Sequence, residues 1–416
     1  MAIQMKKPYY KWVIAAACFL LVFVCDGFAC GYRGLFLTAV SNGLGVNRTL
    51  VSMGESFRSA TGAVMSMFFG VLVCKFSSRK LVAASLSLLI LSLVVYSRVQ
   101  SVYTYWAAGA LMGIGTTFAS SAMVAYLIHQ WFEENVGSVL GVVAAASGMG
   151  SAVGSQVISP ILYSGDPAGF RAAYSLTAVV VAIFAVVIIP FLRENRESKS
   201  LPKHAETTIG QPEKITDAES RCNNKILSSV IGVCVFLTAL SIMGVNSIYV
   251  SHMLDVGIDA KTAGTASGVL AVTLIGAKLL CGGLYDRFGL RTVLSVCQMA
   301  AFAAFAILFL ITPNASALAL IFPAIFAIAL PLETIVITLI VSDVFGKQLF
   351  SRFIGVFSAI ASVGFALAPP MSNMIYDLFG TYCPAILING GIMILVSVVL
   401  HITITLRKRS NDHGKK

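Results

Sequence analysis

The chain has 416 residues, of which 57% are hydrophobic and 11% charged, and its mean hydropathy is +0.87. A soluble domain carries roughly 25% charged residues, so this composition excludes a soluble globular fold and describes a chain solvated mostly by lipid. The formal net charge of +11 lies mainly in polar segments between apolar runs and gives no reason to invoke nucleic acid.

Apolar runs near the ~20 residues that a helix needs to cross a bilayer recur along the whole chain. About twelve are legible, near 11–33, 49–73, 80–98, 102–129, 136–163, 170–192, 226–251, 261–282, 291–311, 315–341, 353–376 and 382–406. Each is predicted to be a helix, because a lone strand in lipid cannot satisfy its own backbone. The first run follows Lys6, Lys7 and Lys11. It exceeds a signal-peptide core and no small-residue cleavage site ends it, so it is expected to remain in the protein.

Ionisable residues at membrane depth are rare, and they mark sites or ion-pair networks. Asp26 and Arg33 stand seven apart, which on an α-helix puts them on one face, two turns from each other. Glu55 and Arg58 on the second helix are three apart and can pair directly. Antiparallel first and second helices bring all four toward the outer half of the membrane. They form either a structural ion-pair network at the outer mouth or a working site. In a working site, Asp26 or Glu55 carries a proton and Arg33 or Arg58 helps to hold an anion.

The segment 193–225 is the only long connection, rich in charge, Ser and Thr, with Pro202 and Pro212. It divides the chain into residues 1–192, a cytoplasmic linker 193–225, and residues 226–416. The two parts read as repeats. Gly141-Val142, Ala145, Gly150 and Ala152 recur as Gly355-Val356, Ala359, Gly364 and Ala366, and Gly70 recurs as Gly282 at nearly the same offset.

In the second part, Lys278 is a lone cation in the apolar stretch Gly268–Leu280. An ammonium at membrane depth costs a contested ~2.5 kcal/mol or more, so it is tolerated mainly where it faces a partner or a watery cavity. Its alternatives are a tether to Glu333, which stands alone after Pro331-Leu332, and snorkelling to the nearby surface. Glu333 could equally be a proton site of its own. Tyr32, Tyr249, Phe28, Tyr126 and Phe357 lie on candidate cavity helices, where an aromatic side chain either packs or meets a solute. His129 and His252 fall near span ends and read as hydrogen-bonded interface residues.

Lysine and arginine set the orientation. Three lie at 6–11, three at 75–80, seven at 193–225, two at 287–291, two at 347–352 and five at 407–416, together 22 of the 29. Both termini are therefore expected in the cytoplasm, with the chain in the cell (inner) membrane. The nine cysteines have no paired spacing and imply neither metal nor disulfide. No Walker-type loop and no His-Glu-x-x-His is found, so neither an enzyme nor an ATP-driven pump is indicated and no cofactor is expected.

Gly282-x-x-x-Asp286-Arg287-x-Gly289-x-Arg291 resembles the signature gate hairpin between helices 8 and 9 of the major facilitator superfamily. There the glycine lets helices approach and the acid caps a helix end or pairs with a basic residue. In the equivalent hairpin at Gly70, the acid is replaced by Cys74. The resemblance implies an all-α membrane protein of twelve transmembrane helices in two six-helix pseudo-symmetric bundles. A central cavity would lie between helices 1, 2, 4, 5 and 7, 8, 10, 11.

A narrower likeness is carried by Trp131-Phe132 followed by Gly137, Gly141, Gly148, Gly150, Gly154 and Pro160. Ser342-Asp343-x-Phe345-Gly346 with Arg352 and Gly355 adds to it. These are similar to the monocarboxylate transporter and oxalate/formate antiporter group, many members of which place an arginine four residues before the hairpin glycine. Lys278 stands at that position, a point charge in place of a planar fork.

The group implies a secondary transporter of a small organic anion, a monocarboxylate, working as a monomer by proton symport or by exchange for a counter-anion. Lys278, Arg33, Arg58, Tyr32 and Tyr249 would bind the solute, and Asp26, Glu55 or Glu333 would carry the proton. A drug/proton antiporter of the same superfamily is the closest rival. Against it, residues 102–128 hold no Arg or Lys and Pro160 has no adjacent glycine. A non-transporting membrane receptor is the second alternative.

Overall fold

A computed structural model of the chain describes residues 7–132, 136–163, 166, 168–193, 218–313, 315–333 and 335–413. Residues 194–217, most of the expected linker, lie outside the described residues. So do the side chains of 342 and 344–355, which include Phe345, Gly346, Arg352 and Gly355. The described residues are helical, with no strand among them.

The first crossing is composite. α1 (Lys7–Val22) runs into a π-helical turn, Phe23–Ala29, which contains Asp26. A 3-10 turn at Arg33–Leu35 and α2 (Phe36–Leu44) follow. The expectation that Asp26 and Arg33 share one face of a regular helix is thereby corrected. The widened turn and the break at residues 30–32 reset the register between them. α2 ends on Gly45, whose φ of 64° is the left-handed conformation that lets glycine close a helix.

α3 (Arg48–Met67) and α4 (Phe69–Lys75) form the second crossing, and α5 (Ser78–Ser97) follows. Then come α6 (Val102–Thr117), α7 (Ser121–Trp131), α8 (Val136–Leu162) and α9 (Gly169–Phe191).

α10 (Ala218–Asp255) begins inside the expected linker. α11 (Ala260–Leu310) is opened by Asp259, whose carboxylate accepts the Thr262 N–H at 2.9 Å. Hydrogen bonding from the Thr262 side chain, and then from this N–H, holds the Asp259 carboxyl below the usual carboxylate range. Gly289 (φ 76°, ψ 179°) breaks α11 into two arms. The arms double back, since Cys281 and Cys297, eight residues to either side, touch through their thiols. α12 (Ser316–Ala329), a 3-10 turn at Leu330–Glu333, α13 (Ile335–Phe379) and α14 (Cys383–His413) complete the chain.

Nine stretches among the described residues are long and apolar enough to cross a membrane, against the twelve expected. α3 carries Arg48, Glu55 and Arg58 within 20 residues. Two expected spans are the two arms of α11 on either side of Gly289, which count as one stretch, and Ala317–Glu333 is apolar but short.

Close backbone contact joins the helices on the faces that build the interior. A Cβ on Gly150 of α8 would lie 2.0 Å from the Phe23 carbonyl oxygen, so α8 packs directly on the π-helical turn. A Cβ on Gly364 of α13 would lie 3.0 Å from the Phe236 carbonyl oxygen of α10. The two glycines are the pair matched in the sequence repeat, and they make the same contact in each half. Small residues at such crossings are how helices associate in lipid, where hydrophobic burial drives nothing.

Candidate functional site

A cavity of about 920 Å³ lies between the two halves. The first half contributes Asp26, Tyr32 and Arg33, Glu55 of α3, and Gly141 and Gly148 of α8. The second contributes Asn246 and Tyr249 of α10, Lys278 of α11, Glu333 of the 3-10 turn and Asn373 of α13. Gly148 sits on the seam, where a Cβ would come within 2.6 Å of the Ala271 carbonyl oxygen. The cavity opens at the end where Val142 and Leu279, both in its lining, are 64% and 72% exposed.

The opposite end is latched. Arg48, 7% exposed, makes a two-pronged contact with Asp255, its Nη2 donating to Oδ1 at 2.7 Å. Its Nη1 also donates to the Tyr382 hydroxyl at 3.1 Å, and its guanidinium lies 4.0 Å over the Tyr376 ring. Asp377 accepts the backbone N–H of Arg48 at 3.2 Å and of Thr49 at 3.0 Å. The N-cap residue Asn47 makes no side-chain cap of its own. A carboxylate from the second half therefore caps the N-terminus of α3, where free N–H groups and the helix dipole favour negative charge. Thr38 to Ser251 at 3.0 Å and Ser159 to the Ala260 carbonyl at 2.9 Å tie the same end.

In the first half the expected Glu55–Arg58 pair is present. Arg58 Nε donates to both Glu55 oxygens at 2.9 and 3.0 Å, and Arg33 Nη1 donates to Glu55 Oε2 at 2.9 Å. Arg33 Nε is held by the Cys30 carbonyl at 2.8 Å, at the break in the first helix. Arg33 and Glu55 reach the cavity. Arg58, expected to contact solute, is engaged with Glu55 and is not part of the lining.

Tyr32 and Tyr249 line the cavity as expected but are buried, their hydroxyls engaged with Thr177 at 3.5 Å and Ser267 at 2.9 Å. His252 is buried and meets the Leu308 carbonyl at 3.0 Å, the bland role expected of it.

In the second half Lys278 is exposed on the cavity wall. Glu333 faces the same cavity, and its Oε2 is buried with no hydrogen-bond partner among the described residues. A tether joining the two was one expectation. The ion pairs found among the described residues are Arg33–Glu55, Arg48–Asp255 and Arg58–Glu55, and Lys278 and Glu333 form none.

Of the gate-motif residues, Gly289 makes the turn itself, Asp286 and Arg287 are exposed and Arg291 is half-buried. Gly282 was expected to permit close helix approach, yet a Cβ there would meet nothing within 4 Å. At this open end the helices are apart, so the glycine is not compressed. Gly70 lies within α4. The Tyr285 hydroxyl beside the motif donates to Asp343 of α13 at 2.6 Å.

Sequence reasoning missed the latch. Arg48 stands at the edge of an apolar run, and its partners Asp255 and Asp377 lie 207 and 329 residues away. It also missed Tyr96, Tyr105 and Tyr174, which line the cavity from α5, α6 and α9. No local signal distinguishes those tyrosines from packing aromatics.

The Major Facilitator Superfamily model matches residues 19–230 and 231–416. The chain belongs to that family, and it is a multi-pass membrane transporter. It is 22% identical over 428 residues to monocarboxylate transporter 12-B of Danio rerio, covering 98% of this chain and 89% of that one. It is 25% identical over 296 residues to the MFS-type transporter YcxA of Bacillus subtilis (strain 168), covering 69% and 68%. Among solved structures, nucleoside transporter NupG superposes with a TM-score of 0.75 at 12% identity, covering 95% of this chain and 99% of that chain. At that identity the likeness concerns the fold alone.

Proposed function

We propose that the protein is a secondary active transporter of a small organic anion, a monocarboxylate, working by alternating access with proton symport or exchange for a counter-anion. The observation that carries this reading is Lys278, an exposed ammonium on the wall of a cavity latched at one end and open at the other. The monocarboxylate transporters among its relatives support the solute class. Both termini are cytoplasmic in this reading, following the lysine and arginine bias. The open end then faces the cytoplasm, and Arg48 latches the outer side.

The chemistry follows from the charges. Glu55 is held by two guanidinium groups, so it serves as a fixed anion that orients Arg33. Glu333 has an unpartnered buried oxygen and shares its cavity with Lys278. A proton on Glu333 removes a negative charge that would otherwise repel the anion, and Lys278 is then left for the carboxylate. Loading both together is the simplest way to couple anion to proton. In the exchange mode, a second anion takes the place of the first on Lys278 and no net proton moves.

The test is uptake into proteoliposomes holding the purified protein, across a panel of carboxylates and cationic dyes, with and without a proton gradient and with and without internal anion. Carboxylate uptake that responds to either driving force is expected. Uptake of the dyes alone, or indifference to both forces, overturns the proposal.

A further inference from the structure

On one side the cavity reaches a group of apolar and aromatic residues, here called the side chamber, that the carboxylate does not need. Beside the break in the first helix, where Cys30, Gly31 and Gly34 line it, the cavity reaches Leu93 and Tyr96 of α5, Tyr105 and Met112 of α6, and Tyr174 of α9. The chamber wall is a ring assembly. Tyr96 stacks on Tyr174 at 4.7 Å, Tyr174 on Phe36 at 4.2 Å, and Tyr105 meets Tyr96 edge-on at 4.9 Å. Tyr105 is seated against Gly54, where a Cβ would come within 2.6 Å of its ring. Arg33 and Glu55 line the same cavity as these rings.

Most pockets that hold a drug-sized ligand occupy roughly 300–1,000 Å³, with apolar walls and a few polar groups that orient it. The cavity of about 920 Å³ includes its open mouth, so it is the apolar and aromatic lining beyond Lys278 that marks room for more than a two- or three-carbon acid. We infer that the cargo is a carboxylate with an aryl or similarly bulky apolar body, which enters this chamber while its charged head stays in the main cavity facing Lys278. The inference rests on the anion reading above and adds the body to the head. Apolar surface removed from water supplies the affinity. Tyr174 is covered on both faces by Tyr96 and Phe36, so these rings meet a flat body by their edges, a geometry in which aromatic rings attract.

The experiment measures stabilisation of the purified, detergent-solubilised protein against heat by three probes: phenylacetate, acetate and the neutral 2-phenylethanol. Phenylacetate should act at concentrations roughly tenfold or more below acetate. Met112→Phe, which fills the chamber, should erase that advantage while leaving acetate unchanged. Leu93→Phe should do the same, so the outcome does not hang on one variant folding. Tyr105→Phe, which keeps the ring, should preserve the advantage.

Equal potency of phenylacetate and acetate, or an advantage that survives both filled variants, overturns the chamber. If 2-phenylethanol matches phenylacetate, and its effect is lost in Met112→Phe but kept in Lys278→Ala, the chamber stands and the anion reading falls.

Discussion

Lys278 and Glu333 define the residue scale, because neither is committed to the other and both face the cavity. Lys278→Ala should abolish carboxylate uptake in proteoliposomes, and Lys278→Arg should retain a fraction of it, since the charge stays but its shape changes. Normal transport by the alanine variant would remove Lys278 from the site. Glu333→Gln should stop proton-driven accumulation while sparing counterflow, and gradient-driven accumulation at the wild-type level would exclude Glu333 as the proton carrier. With wild-type protein, symport predicts uptake that rises as the outer pH falls. Lys278 was legible in the sequence, because a lone cation in an apolar run is costly wherever the chain folds. Arg48 was not, because an arginine at a span boundary costs little by itself and becomes a latch only when Asp255 and Asp377 arrive from the other half.

At the scale of elements, the helices exist because their apolar runs must satisfy their own backbone, but their irregularities come from packing. The π-helical turn at Phe23–Ala29 and the break before Arg33 lie where α8 presses its glycines against the first helix. Gly150→Val should therefore destabilise the protein by about 1–3 kcal/mol or more, as overpacking of a tight interface does. Gly276→Val, with nothing within 4 Å of its Cβ, should change stability by less than ~0.5 kcal/mol. Thermal unfolding of the two variants in one detergent checks the contrast, and similar losses in both would deny the contact its role. The glycine run in α8 was visible in the sequence. Its division of labour was not, with Gly150 serving the first helix and Gly148 serving α11, because helical spacing says which residues share a face and not which neighbour covers it.

At the scale of the whole molecule, two halves meet tightly at one end and stand apart at the other, as alternating access requires. Arg48→Ala leaves Asp255 without its cation and removes the buried guanidinium from Tyr376 and Tyr382, so it should loosen the latched end. A cysteine placed at Ser251, buried behind the latch, should then react with a membrane-impermeant thiol reagent several-fold faster than in the intact latch. The exchanged pair Arg48→Asp with Asp255→Arg should slow it again. Unchanged labelling in Arg48→Ala would show that the latch does not hold the halves. Asn47→Cys should react from outside the cell, and labelling only from the cytoplasm would invert the proposed orientation.

The sequence by itself determined the membrane environment, the helical class, the repeat and the isolated charges. Each follows from the cost of polar groups in lipid or from local spacing, and both are properties of a segment. The tertiary structure alone decided which charges pair, where the cavity lies and which end is closed. Those depend on meetings between residues hundreds of positions apart, and in lipid no pattern within one helix encodes its partner.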